Sequence, residues 1–283
     1  MDNRDKGYYL MINPFIFHKF TSLTIPWATL FTTVDTPNPV AFVTNMPVGE
    51  KLLIDFSDGP AGRYEVVGNG ANQTTQHTYD VPVPGTKITI TGFSGNQVLM
   101  RYFSIAYQYL NGDCPIFEGF ADIQTIYLRN NSFTGAFPPV TGCDALRYLY
   151  LRLTPFTGQC PAVSGLSDLQ QVYADQGEGF TGNIPSLTGL PDLSMFQIGD
   201  NLITGFEGGF TPAAQRTTSI SLRAYNNYLT SSAVNLILAD ARTAEFGTGD
   251  NIEVDRNNNE PPTGQGLIDK QWLIDNGATV STN

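Results

Sequence analysis

The chain has 283 residues, a formal charge of −11 and only 14% charged side chains. That length holds one or two domains with ample material for a core. The acidic balance argues against a nucleic-acid-binding surface, which needs clustered Lys and Arg, and against docking on anionic lipid. No apolar run approaches the roughly 20 residues that span a bilayer as a helix, so no membrane insertion is expected.

In chain order, residues 1–26 form an aromatic arm with Tyr8, Tyr9, Phe15, Phe17 and Phe20. Asp2, Arg4, Asp5 and Lys6 cancel in charge, and Asn13-Pro14 and His18-Lys19 interrupt the apolar stretch. The secretory-signal pattern of basic start, unbroken apolar run and small-residue cleavage site is not met. The arm reads as a docking element for a partner, with packing on its own domain as the alternative.

Residues 27–96 read as a small β-sandwich, with strand-like runs at 28–33, 40–44, 51–56, 63–67 and 87–92. Asp58-Gly59 and Pro84-Gly85 are turn dipeptides. The string Leu52-Leu53-Ile54-Asp55-Phe56-Ser57-Asp58-Gly59, then His77-Thr78-Tyr79, then Gly85 to Gly92, resembles a PKD-like domain. Phe56-Ser57 stands where that family usually shows Trp-Gly. The resemblance implies a spacer or docking module without chemistry, and a structural role for His77.

Residues 97–229 repeat. Apolar triplets recur as Ile123/Ile126/Leu128, Leu146/Leu149/Leu151, Leu169/Val172/Ala174 and Leu193/Phe196/Ile198. Each segment closes on Phe-Thr-Gly or Ile-Thr-Gly, and the closing glycines, Gly135, Gly158, Gly182 and Gly205, lie 23, 24 and 23 residues apart. A proline follows at Pro138, Pro161 and Pro185. Self-similarity at this period marks a solenoid, in which one unit cannot bury its apolar face alone and stacked units share a core. Met100, Phe103 and Ile105 begin the series without a linker, and Ile220 and Leu222 continue it at +24. The motif L-x-x-L-x-L-x-x-N-x-F/L-T-G-x-I/F-P resembles the plant-type, extracellular leucine-rich repeat. Asn201 stands at or near its asparagine position, as do Asn130 and Asn131, while Thr154-Pro155 and the longer third repeat depart from it. The resemblance implies a right-handed solenoid with a parallel sheet on its concave face.

Residues 230–283 form a short α/β cap. Ser231 or Ser232 caps a helix ending near Arg242, Ile252 and Val254 sit on a strand, and a second helix at 267–275 precedes a strand at 279–282. The run N-x-x-P-P-T-G-x-G-L…L-x-x-x-G-A-T-V-x-x-N resembles the tail of repeat proteins from bacteriophage virions and bacterial surfaces.

Catalysis needs convergent acid, base or nucleophile groups, and the pattern shows none; no enzyme and no cofactor are expected. The two histidines are far apart in sequence, and no Cys/His spacing fits zinc. Cys114, Cys143 and Cys160 read as buried thiols, because Cys114 and Cys160 lie two coils, roughly 10 Å, apart. Gly177-x-Gly179-x-x-Gly182 copies a dinucleotide fingerprint by letter only. Asp250 and Asp255 read as loop carboxylates before a calcium site.

Binding is where the repeats carry information. Residues between the buried ones face outward in three columns: Tyr102/Thr125/Tyr148/Gln171/Met195/Ser219, Ser104/Tyr127/Tyr150/Tyr173/Gln197/Ser221 and Ala106/Arg129/Arg152/Asp175/Gly199/Arg223. Tyr127, Tyr150 and Tyr173 form an aromatic ladder flanked by Arg129 and Arg152, the residue types enriched at interface anchors. The alternative is that the tyrosines only brace the sheet. The expected role is a non-enzymatic virion protein of a bacteriophage (fibre, baseplate or capsid-decorating subunit), oligomeric in its assembly. It would be held to other virion proteins by its N-terminal part and would display the solenoid to a host glycan or protein. A bacterial cell-surface adhesin is the second reading, and a polysaccharide-degrading enzyme the third.

Overall fold

A computed structural model describes residues 28–32, 39–80, 84–92 and 99–283. The expected arm with Tyr8, Tyr9, Phe15, Phe17 and Phe20 lies outside them. Strict alternation builds the first strands. β1 (Ala28–Phe31) is followed by β2 (Val40–Asn45), which buries Val40, Phe42 and Thr44, and by β3 (Lys51–Asp55), which buries Leu52 and Ile54. With β4 (Arg63–Val67), β5 (Asn72–His77) and β6 (Lys87–Gly92) they pair antiparallel in two sheets. β5 has no apolar alternation of its own. It forms through pairing with β2 along its whole length, Val40 opposite His77 to Asn45 opposite Asn72.

The N-terminal strands grip the first coil of the solenoid at two places. β7 (Tyr102–Ser104) pairs antiparallel with β2, and β8 (Asn111–Gly112) pairs antiparallel with β1. The end of the solenoid, which would otherwise expose apolar residues and unpaired backbone, is thereby covered.

Beyond β7 the chain is a parallel β-solenoid. β9 (Thr125–Tyr127), β10 (Tyr148–Tyr150), β12 (Gln171–Tyr173), β14 (Met195–Gln197) and β16 (Ser221–Arg223) stack as successive rungs, followed by β17 (Asn251–Val254) and β18 (Thr279–Thr282). Ile126, Leu149, Val172 and Phe196 align directly from rung to rung and are fully buried. A second, three-stranded parallel sheet, β11 (Gly158–Gln159), β13 (Phe180–Ile184) and β15 (Leu202–Phe206), carries the Phe-Thr-Gly segments. Between the two sheets Phe133, Phe156 and Phe180 stack with ring centroids 6.1 and 6.2 Å apart. Such pairs add about 0.5–1.5 kcal/mol each beyond their burial.

The coil length changes after β14. Phe196 aligns with Leu222, 26 residues on, and not with Ile220 at +24 as the sequence spacing predicts. The extra length lies in a return path that contains a 3₁₀ turn at Ala213–Gln215. In the next two returns helices replace the second sheet. α1 (Ser231–Thr243) is capped by Thr230, whose hydroxyl accepts from the Ala233 N–H at 3.2 Å, so the cap is one residue earlier than Ser231. α2 (Gln265–Asp275) packs against α1.

Each coil turns a corner after its rung. The corner residue is left-handed in seven successive coils, at Tyr107, Asn130, Leu153, Gln176, Asp200, Asn226 and Arg256, with φ between 48° and 70°. This turn aims backbone carbonyls into the interior, where each needs a donor. A buried column supplies them. The Asn131 side-chain amide donates to the carbonyls of Ile105 and Leu128, at 2.9 and 2.8 Å. Thr154 donates to Leu128 at 3.0 Å. Asn201 donates to Ala174 and Ile198, Asn227 to Ile198 and Ala224, and Asn259 to Ala224 and Val254. Asn131, not Asn130, therefore holds the repeat position. The third coil has no such side chain. There Gly177 and Gly179 press on the preceding coil, and a Cβ would come within 2.7 Å of the Thr154 carbonyl oxygen and 2.2 Å of that of Phe156. Close coil contact, and not a phosphate cradle, explains those glycines.

Asn201→Ala leaves the buried Ala174 carbonyl without its donor, removes one of the two donors to the Ile198 carbonyl, and leaves the Phe180 N–H, now 3.1 Å from the Asn201 amide oxygen, without that acceptor. The expected loss is about 2–4 kcal/mol of unfolding free energy in urea titration. Asn130→Ala, at the half-buried corner, costs only about 1 kcal/mol, from its left-handed backbone.

Candidate ligand-binding face

The rungs are short because each holds one inward residue between two outward ones. Register then sets the surface. Tyr127, Tyr150 and Tyr173 occupy the same place on β9, β10 and β12. Their rings stand 4.9 and 5.3 Å apart, the second pair nearly parallel at 16°. Tyr148 stacks beside Tyr150 at 6.3 Å. The hydroxyls of Tyr148 and Tyr150 donate to the side-chain oxygens of Gln170 and Gln171, at 2.6 and 2.8 Å. Burial, with the neighbouring tyrosines adding to it, pushes the Tyr150 phenol up to about 12, so it stays protonated. Tyr102 lies at the start of the neighbouring column, in register with Thr125 and Tyr148.

Arg129 and Arg152 follow β9 and β10. The Arg129 guanidinium lies over the Tyr107 ring at 5.1 Å and donates to Asn130 at 3.3 Å. Arg152 donates to Gln176 at 2.8 Å and pairs with Asp175 at 3.2 Å.

Two residues expected on the accessible face are instead internal. Asp175 is 0% exposed and Gln197 is 6% exposed. Tyr225 covers them: Gln197 donates to Asp175 at 2.8 Å, and the Tyr225 hydroxyl donates to Asp175 at 3.4 Å. The Tyr225 ring lies over Gly199, where a Cβ would meet it at 2.5 Å, and Arg256 stacks on it at 4.0 Å. One oxygen of Asp175 has no hydrogen-bond partner among the described residues. Burial raises its carboxyl above the usual range, and Arg152 and Gln197 only partly oppose this. Tyr225 was not legible as a site neighbour, because the changed coil length moved it into register with Gly199.

The same shift moves the end of the columns. Ser221, and not Ser219, aligns with Met195, and Arg223 aligns with Gln197 in the tyrosine column. Arg223 pairs with Glu253 at 3.5 Å. It lines an open groove of about 490 Å³ with Met195, Ser221, Asn251, Glu253 and Ser281.

Other singled-out residues have internal roles. His77 bridges Asp58 at 2.7 Å and Tyr64 at 3.1 Å and stacks on Phe56. Cys114, Cys143 and Cys160 are free and buried, and burial pushes the Cys143 thiol up to about 11. Asp250 is not a solvated loop carboxylate. It is buried in a two-pronged pair with Arg216, at 2.5 and 3.0 Å, and accepts from the Ile220 N–H at 2.8 Å. No group of His, Cys, Asp and Glu among the described residues is arranged to hold a metal ion. No helix among them is long and apolar enough to cross a membrane. No protein-family model matches this chain, and no curated protein sequence matches it.

A folded carboxyl that holds its proton more tightly than the unfolded one stabilises the fold at low pH, and that contribution is lost as pH rises toward the raised folded value. The unfolding free energy of the parent chain minus that of Asp175→Asn is therefore expected to fall across the acidic range and then level off. A rising difference contradicts the assignment of burial as the dominant effect.

Proposed function

We propose that this chain is a non-catalytic recognition protein whose rung face binds a partner surface. The observation that carries this reading is the in-register ladder of Tyr127, Tyr150 and Tyr173, half-buried, with Arg129 and Arg152 beside it. Arg152 also serves as the ion-pair partner of buried Asp175, but Arg129 has no acid partner among the described residues, and interface anchors combine tyrosine and arginine.

The finer kinship belongs to the same proposal. The solenoid is of plant-type leucine-rich-repeat character, supported by the buried asparagine column at the repeat position. The N-terminal antiparallel unit is PKD-like, supported by the Asp58–His77 contact and by the Tyr79 hydroxyl donating to the Phe56 carbonyl at 3.0 Å. The C-terminal sequence run, which closes the solenoid with α2 and β18, supports a place in a bacteriophage virion, with the aromatic N-terminal arm docking on other virion proteins. Display on a bacterial cell surface is the second reading, which shares the same binding face.

The test is a Tyr127→Ala/Tyr150→Ala/Arg152→Ala variant of the full chain on glycan arrays and whole bacterial envelopes. It is expected to keep its far-UV circular dichroism, to lose about 1–3 kcal/mol of stability from the broken ladder and a further amount from Asp175 left without Arg152, and to lose binding at least tenfold. Binding equal to the parent's overturns the assignment of this face.

A further inference from the structure

From the arginines that lack acid partners, we infer that the tyrosine ladder binds an anionic polysaccharide, one bearing carboxylate, sulfate or phosphate groups. The inference rests on the recognition face just proposed and gives its ligand class. In a chain with 26 acidic and 15 basic side chains, an arginine meets a carboxylate readily. Six of the nine arginines in the described residues do so. Arg101, Arg129 and Arg147 form no ion pair among the described residues. All three border the first three rungs: Arg101 precedes β7, Arg129 follows β9 and Arg147 precedes β10. Arg101 and Arg147 are exposed. Arg129 is held in place by the Tyr107 ring and Asn130, which leaves guanidinium donors open. Isolated exposed arginines are ordinary, but these three border successive rungs, two of which carry Tyr127 and Tyr150, and they stay unpaired although Asp122 and Asp144 lie exposed at the entries to β9 and β10.

The ladder itself points the same way. A neutral sugar stacks its C–H face on an open aromatic face. The Tyr150 ring is flanked on adjacent rungs, with Tyr173 stacked on it at 5.3 Å and Tyr127 tilted against it at 4.9 Å, which restricts access to its faces. Its hydroxyl proton is donated to Gln171, so what the ladder offers a ligand is ring edge. The edge is the positive rim of the ring, and the phenol keeps its proton. Such a strip favours oxygen-rich anions over apolar sugar faces. Adjacent rungs repeat every ~4.8 Å, comparable with the advance per sugar along an extended polysaccharide, so a regular polymer meets a tyrosine ring edge on each of β9, β10 and β12. The chain's overall negative charge does not forbid this, because exposed charges more than about 8 Å apart are largely screened at physiological salt.

The full chain is titrated with polygalacturonate, heparin, teichoic acid, neutral dextran and oligo-dT. At least one of the three anionic glycans is expected to bind while dextran does not, with affinity dropping tenfold or more between about 50 and 300 mM salt. Arg101→Gln/Arg129→Gln/Arg147→Gln, at positions outside the core, should lose tenfold or more in affinity, while Arg256→Gln retains it. The inference is overturned by no binding to any anionic glycan, by binding that the triple variant retains, or by arginine-dependent binding of oligo-dT alone. Dextran binding that Tyr127→Ala/Tyr150→Ala/Arg152→Ala abolishes would keep the recognition face and remove only its anionic ligand.

Discussion

The buried corner of each coil is the constraint on which the fold depends. A left-handed residue turns every rung back toward the interior and leaves carbonyl groups there with no water to meet them. Asn131, Asn201, Asn227 and Asn259 answer this by donating both within their own coil and to the coil before it, and Thr154 by donating to the coil before it. A single side chain thus closes a turn and sets its distance from the neighbour. Register is set by that link in the coils that carry it and by the close approach of Gly177 and Gly179 in the third, and the apolar triplets and the phenylalanine stack fill the space so defined.

Because register is fixed, the outward face is a set of defined positions and not a flexible surface. On the first rungs this gives stacked tyrosines and arginines without acid partners. Further along, the same face folds in on itself. Tyr225 fits over Gly199 and, with Gln197 and Arg152, encloses the Asp175 carboxylate. One sheet therefore carries two chemically different halves: an aromatic strip bordered by arginines without acid partners toward the N-terminal strands, and a polar region with internally paired Arg223, Glu253 and Arg256 toward the cap.

Much of this was legible in the sequence for a physical reason. Apolar spacing reports which residues a coil must bury, so the triplets located the rungs, and turn dipeptides located all but one of the N-terminal strands. β5 escaped because Asn72 to His77 gains its strand conformation from β2 and not from its own alternation. The second sheet was not legible beyond the recurrence of Phe-Thr-Gly, since its pairing joins different coils. The column end was misplaced because insertions in a return path do not disturb the local apolar pattern: Ile220 and Leu222 fit both +24 and the observed alignment. Burial of Asp175 and Gln197 followed from that shift, as no local feature of either residue announces the ring that covers it.

Cross-rung disulfide trapping tests the register most directly. Gln171 and Met195 are opposed on adjacent rungs and partly exposed, within the Cα separation a disulfide spans. Gln171→Cys/Met195→Cys is expected to form an intramolecular disulfide rapidly under mild oxidation, found by peptide mapping, while Gln171→Cys/Gln197→Cys stays reduced. Efficient bonding of the second pair and not the first would show that the coils do not stack in the described register.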